Sequence, residues 1–125
     1  MMTKTYKQAL LQGQHALTDT FKMALYSASA TLNEDTTAYS PTNEITSSGY
    51  TPGGCTLANP TVSADGTGFK LDFDAFTYTN CAIVCRYALL YNVTKGKAVA
   101  VKDYGSDVGV VGSGTFVVDA SVKFD

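Results

Sequence analysis

The sequence has no tryptophan, one histidine, three prolines and little charge. Each shortage excludes something. Without Trp, the strongest aromatic surface for stacking a sugar is missing. His15 has no Cys, Asp or Glu next to it, so neither a catalytic triad nor a zinc site finds a local partner set. Charged residues make up 16% of the chain, against about a quarter in a typical domain. The net charge of −2, with Lys and Arg scattered, leaves no basic footprint for nucleic acid. Three cysteines are an odd number, which argues against a disulfide framework. No apolar run approaches the roughly 20 residues of a membrane-spanning helix, and the opening "MMTKTYKQALLQGQHAL" has no apolar signal-peptide core. These features predict folding in a reducing cytoplasm.

What the chain does have is the composition of pleated sheet. It is 45% hydrophobic, with eight Tyr, six Phe and 11 Gly, and roughly a fifth of it is Ser or Thr. Its 125 residues are enough for one core and too few for two. Residues 3–12 carry a helical stripe of Tyr6, Ala9 and Leu10, with Thr3 or Thr5 as cap and Gly13 as stop. From there on, period-two alternation dominates. Phe21, Met23 and Leu25 form one buried face of a strand. Residues 28–54 show no period, and a connection of that length needs its own structure. Tyr39, Ile45 and Tyr50 are its expected anchors, while Pro41 and Pro52 stiffen it.

"CTLA" and "PTVSADG" read as short strands. In "FKLDFDAFTYT", Phe69, Leu71 and Phe73 fall out of phase with Phe76 and Tyr78, so a bulge or bend is expected near Ala75. "AIVCRYALLYN" is apolar on both faces except for Arg86 and should be a central strand. "VTKG" turns the chain into "KAVAVKDYG", and "SDVGVVGSG" reads as a flexible connection. "TFVVDASVKF" places Phe116, Val118, Ala120, Val122 and Phe124 on one face of a last strand. The expected fold is all-β, an antiparallel β-sandwich or jelly roll of seven or eight strands. Residues 1–17 form an N-terminal helix or arm, and residues 18–125 form the single sandwich domain.

Candidate chemistry is sparse. Cys81 and Cys85 share a strand face about 13 Å apart, too far to bridge, and Cys55 could meet either; all three read as buried thiols. Asp72 and Asp74 lie about 7 Å apart on one strand, a spacing known for paired glycosidase carboxylates. Alternation alone explains both as a solvent face. "NEDTT", residues 33–37, gathers oxygen donors without the acidic density of a calcium loop. "GSDVGVVGSG" lacks the helix that a phosphate loop needs. Asn92-Val93-Thr94 matches a glycosylation sequon but reads as a hairpin turn. Tyr26, Tyr87 and Tyr91 are the candidates for a sugar platform. No catalytic, cofactor or metal residues are assigned, and no enzyme is expected.

The order "FKMALY", "TTAYSPTNEITSSGYTPGG", "LDFDAFTYTN", "YALLYN", "KAVAVKDYG" and "GTFVVDA" resembles a group of small structural proteins of tailed bacteriophages and prophages, from about Thr20 to the C-terminus. Ser47 and Ser48 stand where that group often has Gly, Tyr104 stands for Phe, and Cys81 and Cys85 are unusual in it. The resemblance implies a virion component made in the bacterial cytoplasm. A capsid decoration (cement) protein, a homotrimer bound to the major capsid protein, is the leading form; a tail, baseplate or fibre-attachment protein is the alternative. A carbohydrate-binding module is the more distant one. No nucleic acid or membrane partner is expected, and residues 1–17 would be the capsid-contacting arm. The resemblance also implies that Gly49, Gly53 and Gly54 serve backbone geometry, that Tyr50 pins the loop, and that Glu44 accepts hydrogen bonds from loop amides.

Overall fold

β1, Phe21–Tyr26, is buried on both faces, not on one. Phe21, Met23 and Leu25 enter the main core; Ala24 and Tyr26 enter a second, smaller cluster on the opposite side. A strand so placed must be covered twice, and the rest of the architecture supplies the two covers. The computed structural model describes residues 19–33, 35–47, 49–65, 68–110, 114–119 and 121–124. The expected helix over 3–12 and the side chains of Phe69, Ala120, Val122 and Phe124 lie outside the described residues.

The described residues form nine strands and no helix, all paired antiparallel. After β1 come β2 (Cys55–Thr56), β3 (Thr61–Asp65), β4 (Gly68–Asp72), β5 (Phe76–Cys81), β6 (Val84–Asn92), β7 (Lys97–Gly109), β8 (Gly114–Val118) and β9 (Ser121–Phe124). They make three sheets, of order β2-β1-β6-β7, β3-β4-β9 and β5-β8. The main core draws on all three: Leu90 and Val99 from the first, Leu71 from the second, and Tyr78, Phe116 and Val118 from the third.

Several sequence expectations change. The out-of-phase stretch around Ala75 is a corner at which one strand ends as β4 and resumes as β5 in another sheet. The last strand breaks in the same place, into β8 and β9. β4 pairs with β9 up to Asp72 opposite Ser121, and β5 pairs with β8 from Phe76 opposite Val118. Thus the two long apolar stretches are one bent antiparallel pair. Three residues separate β4 from β5 and two separate β8 from β9, the unequal count of a bulge.

β6 is central, flanked by β1 and β7, as its two apolar faces require. It begins only at Val84, so Cys81 and Cys85 stand in different strands and not on one face of a single strand. All three cysteines are free and buried. Of the expected flexible connection "SDVGVVGSG", the first four residues are strand, since β7 continues to Gly109, and residues 111–113 lie outside the described residues. From Cys85 to Tyr87, β6 advances two residues while β7 runs five, from Val108 to Asp103. Gly105 turns that detour at φ 82°, and its amide donates to Asp103 Oδ1 at 2.8 Å. Arg86 Nε donates to the same oxygen at 3.1 Å. The Gly105 amide first, and then the Arg86 guanidinium, hold the Asp103 carboxyl below the usual carboxylate range.

The β6–β7 turn is tied to the start of β1. Asn92 is fully buried; its Nδ2 donates to Asp19 Oδ2 at 2.8 Å and its Oδ1 accepts from the Lys95 amide at 3.0 Å. Lys95 Nζ lies 3.7 Å from Asp19 Oδ1, and the Thr20 amide donates to Thr94 Oγ1 at 2.9 Å. Asn92→Ala removes a buried group with partners on both its atoms and is expected to cost about 2 kcal/mol. Asn92→Asp would set a second carboxylate against Asp19 and is expected to cost more. Urea unfolding of both variants checks the order.

Candidate functional site: the Glu44 tyrosine cluster

The aperiodic connection closes both faces of the first sheet in turn. Ala30, Leu32 and Tyr39 lie on the smaller cluster, where the Tyr39 ring stacks on Tyr91 with centroids 4.9 Å apart. The chain then passes the free edge of β1. Asn43 O accepts from the Ser27 amide at 3.0 Å, Glu44 bridges Tyr26, and the Ile45 amide donates to Leu25 O at 3.1 Å. Ile45 and Tyr50 arrive in the main core. The three expected anchors therefore sit on opposite sides of one sheet, with Glu44 at the crossing.

Glu44 gathers three donors. Tyr39 Oη donates to its Oε1 at 2.5 Å, the Gly53 amide donates to Oε2 at 2.7 Å, and Tyr50 Oη donates to Oε2 as well. Tyr50 Oη in turn accepts from the buried Leu25 amide at 3.1 Å. A hydroxyl thus fills the edge position of β1 between the 44–45 bridge and the Met23–Cys55 pair of β2. Tyr91 Oη donates to Gly53 O at 2.5 Å, and Tyr26 Oη donates to Ser40 O at 2.7 Å. Burial, and then the hydrogen bond to Glu44, push the Tyr39 and Tyr50 hydroxyls above the ordinary tyrosine range. Burial and then the Glu44 charge do the same to Tyr26.

Gly49, Gly53 and Gly54 all adopt positive φ, the geometry a glycine permits. Gly54 also presses on β1: a Cβ there would stand 1.9 Å from Met23 O. So "NEITSSGYTPGG" is a strap over a strand edge. Its carboxylate takes three donors that hold the strap shut. The glycines and Tyr50 act as the resemblance implied, while Glu44 accepts from one loop amide, that of Gly53, and from two tyrosine hydroxyls. The part of Tyr39 was missed beyond its being an anchor. Only its position five residues before the one carboxylate of the strap could have pointed to it.

The other candidates are dispersed. Asp72 ends β4 and pairs with Lys70 at 3.6 Å. Asp74 lies beyond the strand, its Oδ2 accepting from Asn59 Nδ2 at 2.5 Å, so the two do not share a strand face. In the 33–37 segment, Asn33 Oδ1 accepts from the Asp35 amide at 2.8 Å and the Thr36 amide donates to Asn33 O at 3.1 Å, a capped turn. The sequon asparagine, Asn92, is buried as described. Tyr26 and Tyr91 are buried too, and Tyr87 packs beside them with Arg86 over its ring at 5.4 Å, so the three form no exposed platform. His15 lies outside the described residues. In the main core the Tyr78 hydroxyl is buried beside the Cys55 thiol in a contact short of a hydrogen bond. Burial pushes the Cys55 thiol up, and pushes Cys85 up to about 11. Among the described residues no three His, Cys, Asp or Glu side chains come together as a metal site, and no helix is long and apolar enough to cross a membrane. No protein-family model matches the chain, and no curated protein or solved structure shows significant similarity to it.

Proposed function

We propose that the chain is a bacteriophage virion structural protein, a capsid decoration protein that binds the head shell and stabilises it. The observation that carries this reading is the use made of the polar groups. Glu44 and Asn92 each fix backbone, Asp19 holds the Asn92 amide, and the tyrosines that could have faced a ligand pack inward. A domain that spends its polar side chains on its own rigidity is suited to docking. The ordered resemblance of six segments to phage structural proteins supports the same reading. We also read the three sheets as the layers of a sandwich, because one core joins them all. A protein that binds the assembled shell but not its free subunits stabilises the shell by mass action.

A tail or baseplate role would use the same scaffold, and copy number separates the two. Shell decoration predicts on the order of hundreds of copies per particle, and a tail ring about six or twelve. Quantitative mass spectrometry of purified particles against the major shell protein measures this. Absence from particles would end the reading. Residues 1–17 are the proposed contact arm. A chain lacking them is expected to leave the shell uncoated, and normal coating would remove that assignment.

A further inference from the structure

The three buried thiols are not covered alike. Cys81 is paired with Gly114 of β8 and Cys85 with Val108 of β7, so both belong to strands that neighbouring strands hold. Cys55 opens β2, a strand of two residues, directly after the strap. Among the described residues the backbone of 49–54 bonds to no strand. The Tyr50 amide donates to Ser47 O at 3.2 Å and the Gly54 amide to Thr51 O at 3.0 Å, both inside the strap. Side chains alone tie this segment to the sheet: Glu44 takes Tyr50 Oη and the Gly53 amide, Tyr50 Oη meets the Leu25 amide, and Tyr91 Oη meets Gly53 O. A segment with so few ties opens locally at less cost than the whole domain. Its one large apolar group, the Tyr50 ring, packs 5.9 Å from the Tyr78 ring. The Tyr78 hydroxyl lies behind it, buried without a hydrogen-bond partner beside the Cys55 thiol. Lifting Tyr50 uncovers both.

We propose that residues 49–54 are a gate over Cys55, and that Cys55 is a modification site for small disulfides of the oxidised glutathione class. In the closed state burial keeps the proton on the thiol, so no nucleophile is present. In the open state the thiol meets water and ionises, and the Tyr78 O–H is placed to donate to the thiolate. The thiolate attacks one sulfur of the disulfide. A new S–S bond forms, the old one breaks, and the leaving thiolate takes up the proton that Cys55 gave away. The product cannot close again. Cys55 Sγ packs 3.9 Å from Met23 O, and even a Cβ on Gly54 would stand 1.9 Å from that oxygen, so there is no room for a tripeptide. The strap then records its surroundings: closed where thiols are in excess, latched open where disulfides are.

The inference goes beyond the shell reading and is tested on the full chain in solution. Native protein is held with oxidised glutathione, quenched in acid and mapped by mass spectrometry at each cysteine. Cys55 is expected to react at least about tenfold faster than Cys81 and Cys85. Its rate should barely change in low urea, because local opening exposes little surface, while the other two await global unfolding and climb steeply. Asn92→Ala acts at the β6–β7 turn. It is expected to speed Cys81 and Cys85 about tenfold or more and leave Cys55 unchanged. Should that variant not fold, the urea slopes of the wild-type chain carry the same distinction. Glu44→Gln loosens the gate and is expected to speed Cys55 about fivefold. The chain modified at Cys55 is expected to keep its β-sheet circular dichroism, to be cut by chymotrypsin after Tyr50, and to regain resistance in dithiothreitol. Cys55 left unmodified, three cysteines reacting together with one urea slope, or Asn92→Ala speeding all three alike would each overturn the proposal. So would a Glu44→Gln chain no faster at Cys55, or a modified chain that resists cutting at Tyr50.

Discussion

Gly54→Ala is expected to unfold the domain or come close to it. The added methyl would sit 1.9 Å from Met23 O, 2.4 Å from its carbonyl carbon and 2.7 Å from Ala24 Cα, all backbone of β1. None of these atoms can rotate aside. Relief requires the strap to lift from the edge, which breaks the Met23–Cys55 pair and disturbs Gly53, a donor to Glu44. Gly54 also sits at φ 87°, which costs an alanine about 1 kcal/mol by itself. Gly96→Ala is the control. Its φ is 68°, and nothing lies within 4 Å of its added Cβ. It should lose only the conformational part, about 1 kcal/mol. The excess of Gly54→Ala over Gly96→Ala isolates the steric part, expected at about 3 kcal/mol or more. Since domains are stable by only about 5–15 kcal/mol, Gly54→Ala should express as insoluble or protease-sensitive protein, while Gly96→Ala gives a cooperative urea transition at a slightly lower midpoint.

That contrast marks what was legible in the sequence. Positive φ at a glycine in a turn is a local property, and the strap glycines were readable as such. The approach of Gly54 to β1 is not local, because it depends on a strand about 30 residues earlier in the chain. Alternation placed nearly every strand and the burial of Leu71, Tyr78, Phe116 and Val118. It erred where a strand changes neighbours. The corner between β4 and β5 was visible as a phase slip, because an apolar face must keep facing the core after a bend. Its counterpart between β8 and β9 keeps phase in the sequence and could not be seen. β1 looked half-polar because Lys22 masks a second buried face whose cover, Ala30 to Tyr39, has no periodicity. The length of β7 was hidden by glycines that serve a detour in a strand. For the site, residue type announced the glycines and the anchors. Asp19, Asn92 and Lys95 were not foreseen as a group, since the partners are some 70 residues apart and share no motif.

The second large effect concerns the clamp itself. Glu44→Ala deletes the acceptor of three donors at once. Tyr39 can turn toward solvent, but Tyr50 is buried and Gly53 is fixed in the turn. Counting two hydrogen bonds to a carboxylate, and discounting for the half-exposed position of Glu44, the expected loss is about 3 kcal/mol. Glu44→Gln should lose about 1 kcal/mol, because its oxygen can take the Tyr50 and Gly53 donors while its amide donates to the Tyr39 oxygen. Tyr50→Phe tests the other half: it leaves the buried Leu25 amide unsatisfied and should cost about 2 kcal/mol. Alkali reads the burial of the tyrosines, those bonded to Glu44 among them. Tyr26, Tyr39, Tyr50 and Tyr78 have folded pKa values raised above the unfolded value of 10.0, and Tyr104 is pushed up to about 12. For an acid so raised, the folded state holds the proton that the unfolded state releases. The stabilisation is complete below pH 10 and is lost as pH climbs through the folded values. Native phenolate absorbance should therefore lag behind that of the urea-unfolded chain, then rise together with loss of the β-sheet signal in one cooperative step. In Tyr50→Phe that step should come at lower pH, because the edge of β1 is already loosened. If the tyrosines of the wild-type chain titrate smoothly near pH 10 with the fold intact, Glu44 is not a clamp and the strap is held by its glycines alone.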